Sequence, residues 1–167
     1  MTNRKSYNRD HHLRLREASI SLAFSYLMSL EEYEYDVLPI DQSNKENIFY
    51  LIRKDTKALV WFQFERRLVW RESGKWQGYP TLDVPARKGN TKASIYIQVN
   101  FPINTLALVS MRDVYSSPIK RKDTSVTVGE DFYAVPIDKV KIIRTQFEEV
   151  ATITPKKEVP AQQVLWE

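Results

Sequence analysis

Gln63, Glu65 and Arg67 recur at every second position of the segment Lys57-Ala-Leu-Val-Trp-Phe-Gln-Phe-Glu-Arg-Arg67. Side chains of a strand alternate between its faces, so a strand here sets an amide, a carboxylate and a guanidinium side by side, behind Leu59 and Trp61. The opposite face carries only Ala58, Val60, Phe62 and Phe64, and something must cover it. A carboxylate next to a cation can hold a divalent metal and steady the charge on a phosphate under attack. The same pattern also describes a strand running out of a core into water, with Glu65 in a surface ion pair of little energetic worth.

Other chemistries find little footing. There is no cysteine, so thiolate sites and disulfides are excluded and any metal needs oxygen or imidazole ligands. The two histidines, His11 and His12, are adjacent and on a helix would point about 100° apart. They read as solvated residues at a helix start, behind Asp10 as N-cap. A Ser–His nucleophile is therefore not expected. No phosphate-cradling glycine loop, HExxH or G-x-S-x-G occurs.

Charge is uneven along the chain, although its formal sum is only +4. Residues 1–16 are basic, residues 31–46 acidic, and the chain turns basic again from Arg53 to Lys92. In this last region Arg66, Arg71, Lys75, Arg87 and Lys88 alternate with Trp70, Trp76 and Tyr79. Cations mixed with aromatics suit phosphates and bases, so Arg66, Arg71, Lys75, Trp76, Arg87 and Lys88 are candidate nucleic-acid contacts. The competing reading is a folded-back hairpin whose tryptophans complete the core.

The elements that would position these groups follow from periodicity. Leu13–Leu30 has helical spacing and turns wholly apolar or serine from Ala18 onward, as expected of a helix buried on more than one side, against a sheet and a partner subunit. Strands are expected at about Tyr33–Ile40 and Asn47–Arg53, then a turn at Arg53–Lys57 capped by Asp55, then the opening strand. A short hairpin is expected at Glu72–Lys75, and 68–92 reads as a long irregular loop. Further strands are expected at Ala93–Asn100, Thr105–Met111, Glu130–Val135 and Val140–Arg144, with a break at Arg112–Pro118. Together they predict an α+β domain, a helix packed on a mixed, mostly antiparallel sheet.

A helix, a strand, a hairpin and a later buried strand resemble the core of the PD-(D/E)XK, or restriction-endonuclease-like, nuclease superfamily over roughly residues 12–112. In that family a helix Glu, an Asp on the second strand and an E-x-K on the third converge on Mg²⁺. The resemblance implies Glu17, Glu46 and Glu65 as metal ligands and Glu65, Arg67 and Gln63 as catalytic groups, with Asn47 as the alternative at the second position and Asp36 and Asp41, flanking Pro39, as other possible carboxylates. The third strand offers two registers, Gln63-Phe64-Glu65 and Glu65-Arg66-Arg67. The second keeps carboxylate and cation but puts arginine where the family has lysine.

The expectation is thus a nucleic-acid-acting protein, either a Mg²⁺-dependent DNA endonuclease or a non-catalytic binding or assembly subunit on the same scaffold. DNA is expected over RNA, and a homodimer or larger assembly over a monomer. No apolar run reaches the roughly 20 residues of a membrane-spanning helix, and the N-terminus lacks the form of a secretory signal, so a cytoplasmic location without membrane contact is expected. Residues 1–10 read as a basic arm, 11–150 as one core domain, and 151–167 as a tail whose Leu165 and Trp166 dock on the chain itself or on a partner.

Overall fold

The computed structural model describes residues 9–36, 47–89, 91–124 and 127–145. The chain is α+β, with a long helix on one face of a six-stranded sheet and a three-stranded sheet on the other. No helix among the described residues is long and apolar enough to cross a membrane.

Helix α1 spans Arg9–Ser29. Asp10 lies inside its first turn and is not its N-cap, because Arg9 is already helical. Ile20, Ala23 and Leu27 are buried on one stripe and Ser19, Leu22 and Tyr26 on the next, which is why the segment is apolar over more than one face. The buried Ser19 hydroxyl bonds back to the Leu15 carbonyl at 2.8 Å. Glu31, in the left-handed region at φ 59°, ends the helix as its amide donates to Met28 O.

Strands β1 (Tyr33–Glu34), β2 (Ile48–Arg53) and β3 (Leu59–Arg66) form an antiparallel meander. The first strand is shorter than its sequence suggests, and 37–46 lie outside the described residues. The turn between β2 and β3 forms as Asp55 predicts. Its carboxylate accepts from the Thr56 amide at 2.7 Å, and Lys57, at φ 58°, donates its amide to Arg53 O.

Residues 67–80 contain no hairpin at Glu72–Lys75, and the expected long loop is interrupted by β4 (Thr81–Pro85) and a 3-10 turn at Ala86–Gly89. Strand β4 belongs to the second, three-stranded sheet. The chain then returns as β5 (Ile95–Val99), parallel to β3, and β6 (Thr105–Ser110), followed by a short helix α2 (Met111–Tyr115) where only a break is expected. Strand β7 (Ile119–Lys122), an edge made of Ile-Lys-Arg-Lys, carries no strand signal in sequence, because edge strands are kept apart from other chains by charge. Strands β8 (Glu130–Pro136) and β9 (Lys141–Arg144) complete the two sheets, β9 beside β6.

The six-stranded sheet divides two cores. Phe62, Phe64, Ile97, Val99 and Leu106 pack under α1. Tyr96, Ala107, Val109, Leu82, Val84 and Val135 meet between the sheets, joined by the wholly buried Trp70.

Candidate functional site

The strand register explains where the polar pairs of β3 go. Phe62 and Phe64 face α1, so Gln63 and Glu65 face the second sheet. In the parallel ladder Gln63 lies opposite Tyr96, and Glu65 opposite Gln98. These four side chains form a polar quartet inside an otherwise apolar layer. The Tyr96 hydroxyl donates to Glu65 Oε2 at 2.7 Å, and Gln98 Nε2 reaches Tyr96 Oη at 3.3 Å and Asp83 O at 3.4 Å. Burial raises the Tyr96 phenol well above its ordinary value, and the Glu65 charge raises it further, while Gln98 and Arg67 pull it down. Gln63 Oε1 and Gln98 Oε1 are buried and have no hydrogen-bond partner among the described residues.

The expected metal triad does not assemble among the described residues, where no three Asp, Glu or His side chains come together in a metal-holding group. Glu17 is carried by α1 over the Phe62 and Phe64 face, whereas Glu65 leaves β3 on the opposite face. Glu46 lies outside the described residues.

A second site lies where β3 and β5 end. The turn from β5 to β6 is held by Asn100, whose buried side chain accepts from the Asn104 and Thr105 amides and donates to Glu72 O and Asn104 Oδ1. Within this turn Ile103 sits at φ 60°, rare for a β-branched residue, and Phe101 is thrown outward. The Arg66 and Arg71 guanidiniums lie 4.8 and 4.6 Å from the centroid of the Phe101 ring. Arg66 also donates to Phe101 O at 2.6 Å. Arg16, on α1, donates to Asn47 Oδ1 at 2.7 Å, and Asn47 O accepts the Phe64 amide, so Arg16 flanks the same end of β3. Burial lowers the pKa of both Arg16 and Arg66, yet arginine stays charged at neutral pH.

Ion pairing sorts the cations. Lys120 and Lys122 both hold Asp83, Arg121 holds Asp131, and Arg87 pairs with Glu130. Burial raises the Asp83 carboxyl, but Lys122 and Lys120 outweigh it and hold it below the usual carboxylate range. Arg66, Arg67, Arg71 and Lys75 make no ion pair among the described residues. These cations without an ion pair among the described residues lie at the β3 end.

Of the expected nucleic-acid contacts, the structure brings Arg66 and Arg71 together and sets Lys75 nearby in the 67–80 loop. Trp76 is half-buried against Trp70 at 5.0 Å, its indole N–H given to Tyr79 O. Arg87 is spent on Glu130, the Lys88 side chain is not described, and Leu165 and Trp166 lie outside the described residues. The sequence reading missed Phe101, whose only signal is its place between Asn100 and Pro102 at a strand end. It also missed Tyr96 and Gln98 as partners of Glu65, which the alternation of 93–100 places on one face without saying against what. No family model, curated protein or solved structure matches the chain.

Proposed function

We propose that the protein binds nucleic acid through phosphate contacts made by Arg66 and Arg71, with Arg16, Arg67 and Lys75 around them, on a restriction-endonuclease-like scaffold. The observation that carries this reading is Arg66, a half-buried guanidinium with no carboxylate partner among the described residues, stacked with Arg71 on one aromatic ring. A half-buried cation is costly unless an anion meets it. Packing on the ring fixes both guanidiniums; Arg66, whose Nε is buried and whose Nη2 is given to Phe101 O, offers Nη1, and the exposed Arg71 offers its N–H edge to phosphate oxygens. DNA is the expected partner over RNA, and pairing into a homodimer would double the basic face. The test is fluorescence anisotropy on labelled duplex at several salt concentrations. Arg66→Ala/Arg71→Ala should weaken binding by tenfold or more at low salt, and binding equal to wild type would overturn the reading.

Hydrolysis of DNA is the second reading, favoured by Glu65 and Arg67, which the β3 alternation sends to the same side beside Tyr96. Cleavage of plasmid DNA dependent on Mg²⁺ or Mn²⁺ and abolished by Glu65→Ala would select it. Binding without cleavage selects the non-catalytic form.

A further inference from the structure

We infer that the turn Arg67–Trp70 is a wedge that inserts Leu68 and Val69 into a base step, so that the protein prefers duplex DNA with broken stacking, at a gap or mismatch, over intact duplex. This deepens the phosphate-binding reading of Arg66 and Arg71 and rests on it.

The Trp70 amide donates to Arg67 O at 3.2 Å and closes a four-residue turn with Leu68 and Val69 at its corner. Such corners ordinarily take glycine, proline, asparagine, aspartate or serine, for backbone and solvation reasons. Here two branched apolar side chains are 59% and 63% exposed. Neither the turn nor the core accounts for them.

The corner is also held rigidly outward. On one side the Arg67 amide donates to Val99 O at 2.7 Å, and on the other Trp70 O accepts the Phe101 amide at 2.7 Å. The Trp70 ring is wholly buried, with its indole N–H on Lys75 O at 3.0 Å. With both ends tied to the end of β5, the apolar tip cannot fold into the core.

Arg66, Arg67 and Arg71 flank this tip in sequence, and two of them share the Phe101 ring. An apolar tip bordered by cations complements a polymer whose stacked bases lie behind phosphates. Apolar wedges of this kind enter base steps and unstack them. An intact step resists entry, whereas a gap or mismatch already has weakened stacking. An anionic membrane is a weaker match, since stable anchoring there takes more apolar surface than two side chains bring.

The experiment measures anisotropy of the full chain on an intact duplex, a duplex with a one-nucleotide gap, and vesicles of phosphatidylserine and phosphatidylcholine. Wild type should prefer the gapped duplex by about tenfold, and Leu68→Ser/Val69→Ser should bring that ratio close to one. A 2-aminopurine beside the gap should brighten when wild type binds, a readout independent of how the variant folds. Equal wild-type affinities for the two duplexes, a ratio untouched by the double variant, or a dark 2-aminopurine overturns the wedge. So does loss of vesicle binding in the variant with the DNA ratio intact, which assigns the tip to membranes. If wild type binds both duplexes alike while Arg66→Ala/Arg71→Ala weakens both, the wedge alone fails. If that arginine pair changes nothing, the phosphate reading fails with it.

Discussion

The Tyr96 hydroxyl donates a hydrogen bond to Glu65 Oε2 across the β3–β5 ladder at 2.7 Å, and both residues sit on the face that meets the second sheet. The bond links the carboxylate expected to do chemistry to a phenol that burial keeps protonated. One Glu65 oxygen is thereby committed to the protein's own interior. Its first role is to satisfy a buried hydroxyl between two layers.

Tyr96→Phe should therefore cost about 1–3 kcal/mol, because it removes a charge-assisted hydrogen bond from a buried site and deprives Gln98 of an acceptor. Urea unfolding of the variant checks this. A midpoint equal to wild type would mean that the hydroxyl contributes nothing to stability.

Asp83 is held by Lys120 and Lys122 from the edge strand β7, two strands away in its sheet. Its folded pKa lies below the unfolded one, so its contribution to stability is complete above about pH 4 and fades as pH falls through the depressed folded value. Asp83→Asn should lower stability by about 1–3 kcal/mol at pH 7 and flatten the loss seen on acidification. Thermal unfolding from pH 7 to pH 3 measures both effects.

The salt dependence of DNA binding should report Arg66 and Arg71 directly. Every duplex phosphate that goes unneutralised lowers the slope of log affinity against log salt by about 0.9. The double alanine variant should therefore show a slope smaller by about 1–2, whereas Arg87→Ala and Lys120→Ala, whose charges are already neutralised by Glu130 and Asp83, should leave it nearly unchanged.

Asn100→Ala should be among the more damaging polar changes. It strands the buried amides of Asn104 and Thr105 and releases Glu72 O, at a cost of about 2–4 kcal/mol. Because the same turn aims Phe101 at the arginines, the variant should also weaken DNA binding, which separates it from Tyr96→Phe.

Much of the main sheet was legible in sequence. The faces of β3 and β5 alternate as Lys57–Arg67 and Ala93–Asn100 imply, since a half-buried strand must sort apolar from polar by twos. The second sheet was not. Thr81-Leu-Asp-Val-Pro85 is short and carries an aspartate and a closing proline, and Ile119–Lys122 is mostly cationic, so neither resembles a strand until the other is known. Pairing across distant sequence, with Asp83 between two lysines, is what stabilises them. The basic region failed in a related way. Composition counts Arg87 and Arg66 alike, but only tertiary structure reveals that one is neutralised and the other is not.

Strands β3 and β5 are neighbours in the sheet, yet residues 67–94 come between them and carry β4, whose partner β8 begins only at Glu130. A chain emerging from the ribosome can form α1 and the β2–β3 hairpin early, but neither sheet closes until β8 and β9 have left the exit tunnel. Through most of translation Trp70, Leu82 and Val84 therefore lack their final cover, and this apolar surface is buried only when the last strands are made.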